Sequence, residues 1–192
     1  MTFNYISQFS NSRVGFYALG VVVFIIQGCA SGGYDSYSSG PRKKTTYSHT
    51  GGSAENEKFS VKITPKSRYS FAGPSEFNIS IQNKTDSTLE IDWNRTLFLD
   101  NGQSRGTFMF EGIKYNDKNS QKAPDIIGPN SSFRKWIVPS ANVSFSSSWS
   151  HGRLLGYSRS SGKYGVSLSV KVDGKEVRQS VELTITKSET YE

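Results

Sequence analysis

The fold class predicted from the sequence is all-β, a two-sheet antiparallel β-sandwich, and three observations lead to it. From Phe59 onward apolar and polar residues alternate with a period of two, as in strands with one buried face. Turn-forming dipeptides such as Asp173-Gly174 separate these runs. No convincing amphipathic helix follows the apolar run near the N-terminus, which leaves sheet packed on sheet as the way to bury the apolar faces.

The elements follow in order. Phe59, Val61 and Ile63 alternate with Ser60, Lys62 and Thr64, and Phe77, Ile79 and Ile81 alternate with Asn78, Ser80 and Gln82. Leu89, Ile91 and Trp93 alternate with Glu90, Asp92 and Asn94. Around Asn101-Gly102 a two-residue turn would set Phe98 against Arg105 and Leu99 against Ser104, apolar against polar. A wider loop, 100–106, pairs Phe98 with Phe108 and Leu97 with Met109, and is the expected arrangement. Residues 112–130 form a long polar segment with Pro124 and Pro129, in which Ile126 and Ile127 are expected to hold the loop to the core. Strands are expected over 132–138 and 143–147, separated by Pro139.

The firmest element is the hairpin of 164–172 with 175–186. A two-residue turn at Asp173-Gly174 sets Val170 opposite Val177, Val166 opposite Val181 and Tyr164 opposite Leu183, with Leu168 against Gln179 as the one mismatch. In all, eight or nine strands are expected. Trp93, Trp136, Phe98, Phe108 and Phe110 are assigned to the space between the sheets.

The segment before Phe59 has a different grammar. Residues 1–12 contain no acid, Arg13 supplies a positive charge, and Val14–Ile26 is an apolar run of 13 residues. That order matches a secretory signal peptide. The run is too short for the roughly 20 residues that a membrane-spanning helix requires. It ends at Ile26-Gln27-Gly28-Cys29-Ala30, and Cys29 is the only cysteine in the chain.

This ending resembles the lipobox of bacterial lipoproteins, with an aliphatic residue three positions before the cysteine and a small one directly before it. The resemblance implies cleavage after Gly28, with Ile26, Gln27 and Gly28 read by the signal peptidase, and a diacylglycerol (palmitate-type) anchor on Cys29. Two or three acyl chains, at about 0.8 kcal/mol per buried CH₂, hold a protein at a bilayer where a single chain is marginal. By the sorting rule of enteric bacteria, Ala30 directs such a protein to the outer membrane, facing the periplasm. The expected layout is a signal peptide at 1–28, a lipidated cysteine with a flexible Gly/Ser-rich tether at 29–58, a β-sandwich at 59–188 and a tail at 189–192. The tether reading rests on the absence of Val, Ile, Leu, Phe and Trp between Ala30 and Lys58. In addition, the stretch from Asn83-Lys84-Thr85 to Ile91-Asp92-Trp93-Asn94 resembles the strand-turn-strand of uncharacterised bacterial lipoproteins with immunoglobulin-like domains. That likeness implies fold and no active site.

Composition narrows the function. The chain carries 23 Lys+Arg against 16 Asp+Glu, but its cations are scattered rather than gathered in the stripe that nucleic-acid binding uses, so no nucleic-acid partner is expected. A single cysteine rules out an intramolecular disulfide and a cysteine metal cluster. His151 is the only histidine after the tether, His49 being the other, so a zinc site with several imidazoles is not expected. There is no Gly-x-Ser-x-Gly elbow and no dinucleotide fingerprint, and no cofactor is implied. Glu90 and Asp92 on one strand face have the order of a carboxylate pair, but basic partners on a neighbouring strand account for them better.

The expected function is therefore a non-enzymatic binding or assembly module of the cell envelope, anchored to the membrane, with an envelope protein or glycan as partner. Trp149, Arg153 and Arg159, in a Ser/Gly-rich segment, are the expected partner contacts. Two alternatives stand beside it. One is an envelope hydrolase acting on glycan or lipid through His151 and a carboxylate; the other is a surface lipoprotein binding host or phage components.

Overall fold

The computed structural model describes residues 40–67, 73–145, 149–155 and 159–192, without the side chains of Trp149 and His151. In chain order its strands are β1 (Lys43–Gly51), β2 (Ser53–Glu55), β3 (Phe59–Lys66), β4 (Glu76–Asn83), β5 (Leu89–Ile91), β6 (Leu97–Asp100) and β7 (Gln103–Ser104). They continue with β8 (Phe108–Met109), β9 (Asp125–Ile127), β10 (Ser132–Pro139), β11 (Val143–Phe145), β12 (Trp149–His151), β13 (Ser161–Val172) and β14 (Lys175–Tyr191). Short 3₁₀ turns lie at Tyr115–Asp117 and Ser140–Asn142. None of the described residues forms a helix long and apolar enough to cross a membrane.

Two antiparallel sheets pack face to face as the predicted β-sandwich. The first runs β1-β14-β13-β5-β9, with β6 also paired to β13 and β7 to β6; the second runs β2-β3-β4-β10-β8. The alternating residues of the sequence form the interface. Phe59, Val61 and Ile63 of β3 and Phe77, Ile79 and Ile81 of β4 are buried, facing Tyr164, Val166, Leu168 and Val170 of β13 and Val181, Leu183 and Ile185 of β14. Each such side chain contributes about 1.5–3 kcal/mol on full burial. Trp93, Phe98, Phe108 and Phe110 fill the same core, as expected.

The long hairpin has the predicted register, with Val170 opposite Val177, Val166 opposite Val181 and Tyr164 opposite Leu183. Asp173 and Gly174 both have positive φ, 50° and 72°, as a type I′ turn requires. Glu90 also meets its expected basic partner, Lys171 Nζ at 2.9 Å, directly across β5 and β13.

Several expectations are corrected. The tether expected to extend to residue 58 gives way to β1 and β2, so among the described residues strand structure is present from Lys43 rather than from Phe59. Strand β1 is almost wholly exposed and carries no apolar signal. What holds it is the backbone ladder to β14, from Lys43 opposite Tyr191 to Gly51 opposite Leu183. The expected tail is part of the same ladder. Because β13 starts at Ser161, opposite Thr186, the pair of β1 and β14 runs on past β13 as a ribbon, tied by Lys43–Glu189 (2.8 Å) and Lys44–Glu192 (3.1 Å). At Gly51-Gly52 the chain then turns from the first sheet into the second. Gly52 has φ of 92°, and a Cβ there would lie 2.5 Å from the carbonyl oxygen of Ile63, so only glycine fits this corner.

The strand count rises from eight or nine to the fourteen described; the additions are β1, which has no apolar pattern, and β2, β7, β9 and β12, each of three residues or fewer. The turn at Asn101-Gly102 is the two-residue form after all, with Leu99 opposite Ser104 and positive φ at both turn residues. Phe98 finds its apolar contacts across the sandwich and beside Val166 of β13, so Arg105, whose amide donates to the Phe98 carbonyl just beyond β7, is free to be polar. Phe108 and Met109 belong instead to β8, against β10. Trp136, expected in the core, is 42% exposed on the outer face of β10. Ile127 is buried as expected, but Ile126 is 59% exposed, since neighbouring residues of β9 point to opposite faces.

Candidate functional site

The long segment that follows β8 borders, with Lys135 of β10, an open cleft of about 460 Å³. Its construction begins where β5 ends. The Asp92 carbonyl accepts from the Thr96 amide (3.0 Å) and hydroxyl (2.8 Å), and the Asp92 carboxylate accepts from the Asn94 amide (3.0 Å). This turn sends Trp93 inward, fully buried, and Asn94 toward the loop. The Asn94 side chain mimics a peptide group: its Nδ2 donates to the Lys122 carbonyl at 2.9 Å and its Oδ1 accepts from the Lys122 amide at 2.8 Å.

Deeper in, Trp93 Nε1 donates to Asp125 Oδ2 at 2.7 Å. The same oxygen accepts from Lys135 Nζ of β10. The Lys135 ammonium lies 4.0 Å from the Phe110 ring centroid, 5.4 Å from that of Trp93 and 5.8 Å from that of Phe133. Ring faces attract a cation, and Asp125 neutralises it, so the charge is tolerated where it would otherwise be costly. Trp93 and Phe110 are themselves in contact, with centroids 5.1 Å apart.

A second lysine holds the loop from within. Lys122 is only 8% exposed, and its Nζ donates to the carbonyls of Lys118 (3.1 Å) and Ser120 (3.3 Å). Burial pushes its ammonium below the ordinary lysine value. At the rim, Tyr115 stacks on Phe145 at 5.5 Å, and Lys118 lies 4.8 Å from the Tyr115 ring centroid.

Asp125 Oδ2 is already engaged by two donors, which suits it to fastening the loop rather than taking a proton from a substrate. Among the described residues no group of three or more His, Cys, Asp or Glu side chains is placed to hold a metal ion.

The residues expected from sequence fall elsewhere. Ile26, Gln27, Gly28 and Cys29 lie outside the described residues. Trp149 is on β12, opposite Phe145, and His151 is opposite Val143; neither side chain is described. Arg153 is partly exposed in the segment after β12. Arg159 turns to Asp100 at the end of β6, 3.4 Å away. The cleft residues Asp125, Lys122 and Lys135 were not anticipated. One signal for Lys135 did exist: Phe133, Lys135 and Ile137 form one period-two set, and the pairing of Lys135 with inward-facing Ile79 puts that set inside.

Neither a family model nor a curated protein sequence matches this chain.

Proposed function

We propose that the chain is a lipoprotein of the bacterial cell envelope, anchored by lipid on Cys29 to the outer membrane on its periplasmic side, whose sandwich serves as a non-enzymatic binding or assembly module. The observation that carries the anchor is the sequence Ile26-Gln27-Gly28-Cys29, which places a solitary cysteine directly after a short apolar run. The binding role is supported by the cleft, whose central carboxylate and ammonium are occupied with each other. Such a site offers shape and hydrogen-bonding groups without a free acid–base pair. Between the proposed anchor and β1 lie residues 30–42, a much shorter connection than one running to residue 58.

The anchor is tested by growing cells with labelled palmitate. The wild-type protein is expected to incorporate label, and Cys29→Ser to lose both label and membrane association. A Cys29→Ser variant that matures and localises unchanged would overturn the anchor. For the binding role, the full chain with a crosslinker placed at Gln121, on the cleft wall, is expected to capture one reproducible envelope component. Capture that is equal for a variant whose cleft is blocked by Ala123→Trp would count against it.

A further inference from the structure

The outer face of the second sheet, on β3, β4 and β10, carries three successive rows of side chains. Ser60, Gln82 and Ser132 form one row; Lys62, Ser80 and Arg134 the next; Thr64, Asn78 and Trp136 the third. The first two rows line a depression of about 510 Å³. Strands spaced about 4.8 Å apart put the Lys62 and Arg134 backbones about 10 Å from each other across Ser80. Both cations are exposed, and neither has an acidic partner among the described residues. The one carboxylate bordering the depression, Glu55, is engaged by Lys84 at 3.0 Å. In the third row Trp136 is 42% exposed, and the Lys66 ammonium lies over its ring, 4.0 Å from the centroid, on a flexible side chain that a stacked sugar would displace.

We infer that this face binds an acidic polysaccharide, of the uronic-acid class, laid across the three rows. The inference goes beyond the cleft but rests on the reading of the domain as a binding module. A pyranose ring has an apolar C–H face, which an exposed indole accepts, and peripheral hydroxyls that both donate and accept. The first row answers those hydroxyls with Ser hydroxyls and the Gln82 amide, groups that also do both. Successive rows are about 7 Å apart, so neighbouring sugars reach neighbouring rows. The unpaired cations of the middle row complement a carboxylate on the sugar between them. An acidic peptide adding as a strand would need a free sheet edge rather than a face. Nucleic acid would need a denser run of cations and several stacking rings.

The test uses the full chain purified in detergent, titrated by calorimetry with oligogalacturonate, a neutral maltooligosaccharide, polyglutamate and phosphatidylglycerol vesicles. Oligogalacturonate is expected to bind best, with affinity falling as salt is added. Trp136→Ala is expected to weaken it by about tenfold or more, as loss of a central aromatic contact does. Lys62→Gln with Arg134→Gln should abolish the preference for the charged over the neutral sugar, while circular dichroism stays unchanged. Polyglutamate or the vesicles binding as well as oligogalacturonate would overturn the inference, because charge alone would then explain it. So would a protein that takes up palmitate and keeps its cleft partner but ignores every saccharide, an outcome that leaves the binding-module reading standing.

Discussion

The indole N–H of Trp93 and the carboxylate of Asp125 meet at 2.7 Å across 32 residues of chain, and this bond fixes the loop to the core. Because Asp125 also neutralises Lys135, its replacement has two consequences. Asp125→Ala is expected to leave a half-buried ammonium and an indole N–H without their acceptor, costing about 2–4 kcal/mol by urea unfolding. Lys135→Met should cost less, about 1–2 kcal/mol, since it strands the Asp125 carboxylate, but that group keeps the Trp93 N–H and is 28% exposed to water. Equal losses in the two variants would mean that the pair does not hold the loop as described.

The Gly51-Gly52 corner predicts a steep contrast between two glycines. Gly52→Ala is expected to destabilise by more than about 2 kcal/mol, because its Cβ would press on the Ile63 carbonyl as well as strain the backbone. Gly174→Ala meets open space at φ of 72° and should cost only about 1 kcal/mol. Thermal melts of both variants check this, and a Gly52→Ala protein as stable as wild type would refute the corner geometry.

Tyr164 carries a third prediction. Its ring is stacked near-parallel to Phe98, with centroids 6.3 Å apart, while its buried Oη faces the Arg159 guanidinium without a hydrogen bond of good geometry among the described residues. Burial pushes the phenol above its ordinary value, against the opposing influence of Arg159. Tyr164→Phe is therefore expected to be neutral or to stabilise by up to about 1 kcal/mol. A clear loss of stability would show that the hydroxyl is satisfied.

The pH dependence follows from Glu176, whose carboxyl is held below the ordinary value first by the hydrogen bond from Arg178 at 2.7 Å and next by that from Ser169 at 3.0 Å. A carboxyl lowered in the folded state adds stability above its unfolded value, 4.5, and that contribution is lost as pH falls through the lower, folded value. The melting temperature should thus decline below about pH 4.5. Glu176→Gln should flatten that decline. An unchanged slope in the variant would assign the acid sensitivity to other groups.

The alternation from Phe59 to Ile81 and the hairpin at Asp173-Gly174 could be read directly, because both faces of the pattern and the turn residues point to the same register. The failures have separate causes. Period two says which residues share a face but not which face turns inward, so Trp136 was expected inside, whereas the set of Phe133, Lys135 and Ile137 turns inward. Strand β1, reading KKTTYSHTG, had no apolar residue pattern to announce it.

By itself the sequence determined the sandwich, the long hairpin and the expectation of an anchor at Cys29, since local alternation, turn chemistry and the order of leader residues are properties of neighbours in the chain. Only the tertiary structure decided that residues 43–55 form strands, how the loop is fastened to Trp93 and which side of β10 faces solvent. Those outcomes depend on partners far apart in sequence, Lys43 with Tyr191 and Trp93 with Asp125, whose backbone and side-chain hydrogen bonds leave no periodic trace in either segment.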